Sequence, residues 1–263
     1  MKYFIRIILI ITLTGLSACS TKKEMVVDKK VSEPDLEQAS ALNIQLALGY
    51  IERQQLGIAQ EKLEKAIEQD PDNIDAYTTM AYLKRIINEF DEAEDYYIKA
   101  LDINSTDPGI HNNYGGLLCQ MGRYDQALEE IKLAYESPFY ETPYLAFANA
   151  GTCLLKKGDY KQAEQMLRKA LRDQPKYANA LLSMAEVGIK TDKYLMARAY
   201  IQRYHAVANA SAESLWVQVQ AEKALGAEDH YIKYARQLRK QYPDSDEAGM
   251  LEDMMRNERI RDQ

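Results

Sequence analysis

The chain is poor in the residues that most often carry chemistry. Among 263 residues there are three cysteines, three histidines and one tryptophan. No Cys-x-x-Cys pair and no Cys/His grouping at zinc-ligand spacing occurs, so the sequence offers no structural metal site. His111, His205 and His230 stand far apart with no motif around them, and they read as core or surface histidines. Gly-rich phosphate loops and nucleophile elbows are also missing. The expectation is a protein that is not an enzyme and takes no cofactor and no small-molecule substrate. An excess of positive charge is lacking too: the formal net charge is -7 with 28% charged residues, which argues against nucleic acid as a partner. Beyond the N-terminus no apolar run is long enough to cross a bilayer, and no strand-like alternation is long enough to compete with helix. Tyrosine is the exception to the shortage of aromatics, with 19 residues against four phenylalanines. Most of these tyrosines fall where helices would pack or turn, which makes them core material.

The N-terminus has the three parts of an export signal. Lys2 and Arg6 precede an apolar stretch from Ile7 to Leu16, broken by Thr12 and Thr14, and small residues lead up to Cys19. Leu16-Ser17-Ala18-Cys19 resembles the lipobox of bacterial lipoproteins. That resemblance implies that residues 1–18 are removed and that Cys19 becomes the first residue, carrying lipid on its sulfur and amino nitrogen. Each buried CH2 of such chains contributes about 0.8 kcal/mol to anchoring. The alternative is an uncleaved N-terminal anchor with an incidental cysteine. Similarity to enterobacterial sorting patterns implies that Ser20 favours delivery to the outer membrane, and the expected location is its periplasmic face. Residues 19–38 are mostly charged and show no sustained helical stripe, so they are expected to form a flexible tether with a span of about 25 Å.

Residues 39–246 are organised as a repeat. Ala59, Ala93, Ala127, Ala163 and Ala197 occupy one position, spaced by 34, 34, 36 and 34 residues. This is the tetratricopeptide period, interrupted by one two-residue insertion near Thr142-Pro143. The spacing predicts helix pairs at 40–73, 74–107, 108–141, 144–177 and 178–211, a divergent pair at 212–246, and a C-terminal helix or tail at 247–263. The expected fold is therefore all-α, a right-handed superhelical solenoid of about six helix pairs. Small residues at Ala47, Ala81, Gly115, Gly151 and Ala185 would let each first helix approach the alanine of its second helix. Leu46, Met80, Tyr114 and Met184 are expected to fill the core from the first helices, and Leu63, Tyr97, Ile131, Leu167 and Ile201 from the second. Gly122, Asn88 and Gly158 mark elbows where a helix stops.

First helices build the inner wall of such a superhelix. On the repeat template the inward positions are Ala41, Ile44, Leu48 and Ile51 in the first unit and Asp75, Thr78, Tyr82 and Arg85 in the second. The third unit offers Gly109, Asn112, Gly116 and Cys119, the fourth Leu145, Ala148, Thr152 and Leu155, and the fifth Asn179, Leu182, Glu186 and Ile189. The aliphatic N-terminal end suggests a groove for an apolar or amphipathic segment of another protein. The candidate groove is Ile44, Leu48, Ile51, Thr78, Tyr82 and Arg85, led by Leu48, Ile51 and Tyr82. In the competing reading Ile44, Leu48 and Ile51 are packed or covered. Arg85 is the sole cation of the set, which disfavours capture of a free C-terminal carboxylate. Cys119 and Cys153 fall on neighbouring first helices; a disulfide would pin the inserted junction, and the alternative is two small buried thiols.

A more specific resemblance lies in the middle of the chain. Asn112-Asn113-Tyr114-Gly115-Gly116-Leu117-Leu118-Cys119-Gln120-Met121-Gly122-Arg123-Tyr124-Asp125-Gln126-Ala127, with Ser137-Pro138-Phe139-Tyr140-Glu141-Thr142-Pro143, Asn149-Ala150-Gly151-Thr152-Cys153 and Gly158-Asp159-Tyr160, resembles the type IV pilus biogenesis lipoprotein family, the outer-membrane pilotins. The two-residue insertion is part of the match. The resemblance implies a lipoprotein whose partner is the type IV pilus secretin, helped to reach the outer membrane and multimerise there so that pilus fibres can exit. A different outer-membrane lipoprotein of the same architecture, an adaptor for peptidoglycan enzymes or for barrel-protein assembly, is the competing expectation.

Overall fold

The computed structural model describes residues 35–261, and in this span every regular element is a helix. The candidate lipidation site Cys19, the signal segment and the tether up to residue 34 lie outside the described residues. Six helix pairs follow one another: α1 (Leu36–Glu52) with α2 (Leu56–Gln69), α3 (Ile74–Ile86) with α4 (Phe90–Ile103), and α5 (Pro108–Gln120) with α6 (Tyr124–Glu136). The others are α7 (Pro143–Lys157) with α8 (Tyr160–Asp173), α9 (Ala178–Lys190) with α10 (Tyr194–His205), and α11 (Ala212–Ala224) with α12 (Glu228–Gln241), closed by α13 (Asp246–Arg261). Residues 36–38, expected in the tether, are the first turn of α1. Charged residues there do not prevent a helix whose later turns are anchored by packing.

The elbows show why the chain turns at fixed intervals. Gln54, Asn88, Gly122, Gly158, Asp192 and Gly226 all have positive φ, spaced by 34, 34, 36, 34 and 34 residues. At each elbow the next residue donates its N–H back to the carbonyl five residues earlier, from Gln55 to Tyr50, Glu89 to Lys84, Arg123 to Leu118, Asp159 to Leu154, Lys193 to Gly188 and Ala227 to Glu222, at 2.8–3.0 Å. This is the closing bond of a left-handed helix stop, which satisfies carbonyls that the helix end would orphan. Glycine or asparagine takes that backbone without strain at four of the six sites; Gln54 and Asp192 are held in it by their neighbours. Some of the starts carry side-chain caps. Asn73 Oδ1 accepts from the N–H groups of Asp75 and Ala76, Asp107 Oδ1 from those of Gly109 and Ile110, and Ser211 and Ser214 form a reciprocal capping box on α11.

Packing within a pair depends on small residues meeting. Ala47, Ala81 and Ala185 are fully buried, as are Ala59, Ala93, Ala127, Ala163 and Ala197 on the second helices. A Cβ added to Gly115 would lie 2.5 Å from Ile131 Cγ1 and 2.8 Å from the Ala127 carbonyl oxygen, and one added to Gly151 would lie 2.5 Å from Leu167 Cγ. Neither helix can stand further off without losing the buried contacts of Ile131 and Leu167. Leu46 departs from expectation: it is 41% exposed, and Ile44, Ala47 and Ile51 are the stripe that α1 buries.

The sixth pair keeps the elbow but exchanges its volumes. At the position held by alanine in the second helices stands Tyr231, and four residues on, where the others have Leu63, Tyr97, Ile131, Leu167 and Ile201, stands Ala235; both are buried. Large and small side chains have swapped one helical turn apart, so the space is filled with the order reversed. Arg198 of α10 clamps Glu222 of α11 through both carboxylate oxygens and thereby ties the fifth pair to the sixth. At the C-terminal end, Ala248 and Leu251 of α13 cover the last core cluster with Leu215, Val219 and Leu238. The inserted residues fall in 137–142, a linker of six residues where those after α2, α4 and α8 have four.

Candidate partner-binding groove

The inward faces of the first helices form two hollows of about 640 and 690 Å3, which share the α7 residues Asn149, Thr152 and Lys156. The N-terminal hollow collects Leu48 from α1, Thr78, Thr79, Tyr82 and Arg85 from α3, Asn113, Gly116 and Gln120 from α5, and the shared α7 residues. Leu48 and Tyr82 are 42% and 38% exposed, which leaves apolar surface open to a ligand. The Arg85 guanidinium lies 5.3 Å over the Tyr82 ring, and its Nη1 donates to Gln120 Oε1 at 3.3 Å. The cation–π contact and the hydrogen bond hold the guanidinium at the groove wall.

Thr79, Asn113 and Asn149 occupy one position of consecutive first helices and make a column of donors and acceptors along the floor. Asn149 is oriented by donating Nδ2–H to Asn112 Oδ1 at 2.9 Å, and Thr152 is paired with Ser183, oxygen to oxygen, at 2.9 Å. Amide and hydroxyl groups spaced in this way suit the backbone of an extended peptide, while Leu48 and Tyr82 offer a seat for an apolar side chain.

Four of the six expected groove residues, Leu48, Thr78, Tyr82 and Arg85, are therefore brought together in one hollow. Ile44 and Ile51 are not. They are 7% and 5% exposed and pack with Leu63, Met80 and Leu83 in the core of the first two pairs. Their positions on the repeat sit at the seam between neighbouring first helices. A branched aliphatic at that seam gains more from turning into the core than from facing water, whereas the long Arg85 side chain at the equivalent position of α3 reaches out.

The disulfide lies in the wall of this hollow. Cys119 of α5 and Cys153 of α7 are bridged, with Cα atoms 5.7 Å apart, inside the range such a bond requires. It crosses the junction that carries the insertion and joins two neighbouring inward helices.

The C-terminal hollow was not singled out from the sequence. Its apolar lining comes from Leu155 of α7, Leu182 and Ile189 of α9, Trp216 of α11 and Met250 of α13, and Glu186 and the exposed Glu213 also line it. Burial, reinforced by a hydrogen bond with Glu213 and its charge, pushes the Glu186 carboxyl up to about 8, against the pull of Lys190 and Lys156. Leu155, Leu182 and Ile189 are all in the inward series of the fourth and fifth units, so half of the signal was present. Trp216 and Met250 come from the divergent pair and the closing helix, where the repeat template does not extend.

Of the histidines, His111 is held by Glu130 Oε2 at 2.6 Å and the Ser105 carbonyl oxygen at 3.0 Å, a packing role. His205 contacts Ser214 Oγ at 3.1 Å, and its burial lowers the pKa.

Comparison with known proteins supports the fold and adds a biological setting. Sequence profiles described as tetratricopeptide repeat match residues 62–95, 96–129 and 149–212. The type IV pilus assembly protein PilF of Pseudomonas aeruginosa is 30% identical over 231 residues, 88% of this chain and 91% of the relative. The crystal structure of PilW, described as a widely conserved type IV pilus biogenesis factor, superposes with a TM-score of 0.74 at 29% identity, covering 81% of this chain and 98% of PilW. A structure from the functional characterization of Pseudomonas aeruginosa PilF gives a TM-score of 0.71 at 30% identity, covering 83% and 99%. With its fold and more than four-fifths of its length shared with these proteins, the chain belongs to the type IV pilus biogenesis family of tetratricopeptide-repeat proteins.

Proposed function

We propose that the protein is an outer-membrane pilotin of the type IV pilus secretin. Lipid on Cys19 supplies the membrane address, the residues that follow supply reach, and the N-terminal hollow holds a segment of a secretin subunit. The relationship to PilF along 88% of the chain carries this reading. The Leu16-Ser17-Ala18-Cys19 lipobox and the open Leu48–Tyr82 surface support it. The mechanism uses binding free energy and no bond chemistry. Confining secretin subunits beside the membrane in which they assemble raises their effective concentration, so a modest contact suffices.

Deletion of the gene tests the proposal. Growth should stay normal while twitching and heat-stable secretin multimers disappear from the membrane fraction. Intact multimers in the deletion strain would contradict it, and loss of envelope integrity with multimers retained would favour an adaptor for peptidoglycan enzymes or barrel assembly.

A further inference from the structure

We propose that the C-terminal hollow is a second docking site, which receives a short apolar segment of a protein partner bearing one lysine or arginine, its cation seated between the Glu186 and Glu213 carboxyls. The site is built from separate elements. Glu186 comes from α9 and the exposed Glu213 from the first turn of α11, 27 residues apart in sequence, yet both line a hollow of about 690 Å3 and their carboxyls are within hydrogen-bond reach. Two carboxyls in contact repel when both are ionised, so they need a proton or a cation between them. The walls say which cation. Leu182, Ile189, Trp216 and Met250 line the same hollow, an environment that suits the methylene stem of lysine or arginine and the apolar neighbours of a peptide. A bare metal ion fits poorly, since among the described residues no three His, Cys, Asp or Glu side chains converge.

The titratable groups lining the hollow are Lys156 of α7, Tyr160 of α8, Lys190 of α9 and Glu213 of α11. Both lysines are exposed to solvent, and Glu186 still keeps its proton to about pH 8. Below that pH an incoming cation must expel the proton, and above it the pair is ready. Docking should therefore release a proton and strengthen as pH rises, by about tenfold between pH 7 and pH 9. Neither Glu186 nor Glu213 lines the N-terminal hollow.

The chain has a single tryptophan, Trp216, in the wall of this hollow, so its emission reports occupancy. The experiment titrates the purified full-length protein in detergent with a capped seven-residue leucine/alanine peptide carrying one central arginine, and with its glutamine and glutamate counterparts. The arginine peptide should shift Trp216 emission saturably and bind at least tenfold more tightly than the glutamine peptide at pH 8.5. That preference should be lost in Glu186→Gln/Glu213→Gln and reduced in Glu213→Gln alone, whose site is exposed and whose thermal melt checks folding. Equal affinity for arginine and glutamine peptides, tighter binding of the glutamate peptide, or no response of Trp216 would overturn the proposal.

Discussion

The two hollows share α7 as a common wall and are close in volume, but they are made of different material. The N-terminal one has a polar floor of Thr79, Asn113 and Asn149 with two exposed apolar side chains, Leu48 and Tyr82, at its edge. The C-terminal one is walled by Leu182, Ile189, Trp216 and Met250 around two carboxyls. The elbow bond beneath both recurs in all six pairs, and the small-residue contact in the first five. A repeat scaffold of this kind separates the residues that determine the fold from those that face the groove. The inward positions are then able to diverge along one chain at little cost to stability.

The first way to break the comparison is to cut the bridge under the N-terminal hollow. Replacing Cys119 and Cys153 by serine should destabilise the protein by about 3 kcal/mol. Urea denaturation followed by circular dichroism would show it, and peptide mapping without reductant should find the two cysteines linked in the natural chain. A smaller loss, about 2 kcal/mol from overpacking, is expected for Gly151→Val, because its new Cβ meets Leu167 Cγ at 2.5 Å. This change displaces α7 and should impair both hollows together, which distinguishes it from variants confined to one.

The pH dependence of stability sharpens the contrast from the other side. A carboxyl whose pKa is raised on folding binds its proton more firmly in the folded state. For Glu186 the resulting contribution is complete below the ordinary carboxylate range and is lost as pH rises to about 8. The natural protein should melt a few degrees lower at pH 9 than at pH 5, and Glu186→Gln should flatten that difference. Differential scanning fluorimetry at the two pH values measures it. The smallest effect on stability, below about 0.5 kcal/mol, belongs to Tyr82→Ala, since much of that ring already faces water.

Most of the fold could be read from the sequence because its determinants are local and periodic. Alanines at 34- or 36-residue spacing mark the first five pairs, Asn88, Gly122 and Gly158 mark three of their elbows, and Thr142-Pro143 marks the longer linker. The sixth pair blurred because exchanging Tyr231 and Ala235 breaks the residue match while preserving the filled volume. At the groove, Leu48, Thr78, Tyr82 and Arg85 followed from the template, whereas Ile44 and Ile51 did not. Their repeat positions straddle the boundary between core and groove, and side-chain chemistry decides which way each residue turns. The C-terminal hollow escaped because it depends on α11 packing against α9 and α13 against α11, a tertiary juxtaposition that no repeat position encodes.

The most direct test of the central claim compares groove variants in cells that carry the type IV pilus system. Leu48→Asp/Tyr82→Ala should leave the protein folded and at natural abundance, yet abolish the heat-stable secretin multimers. Multimers at natural levels in that strain would contradict the account.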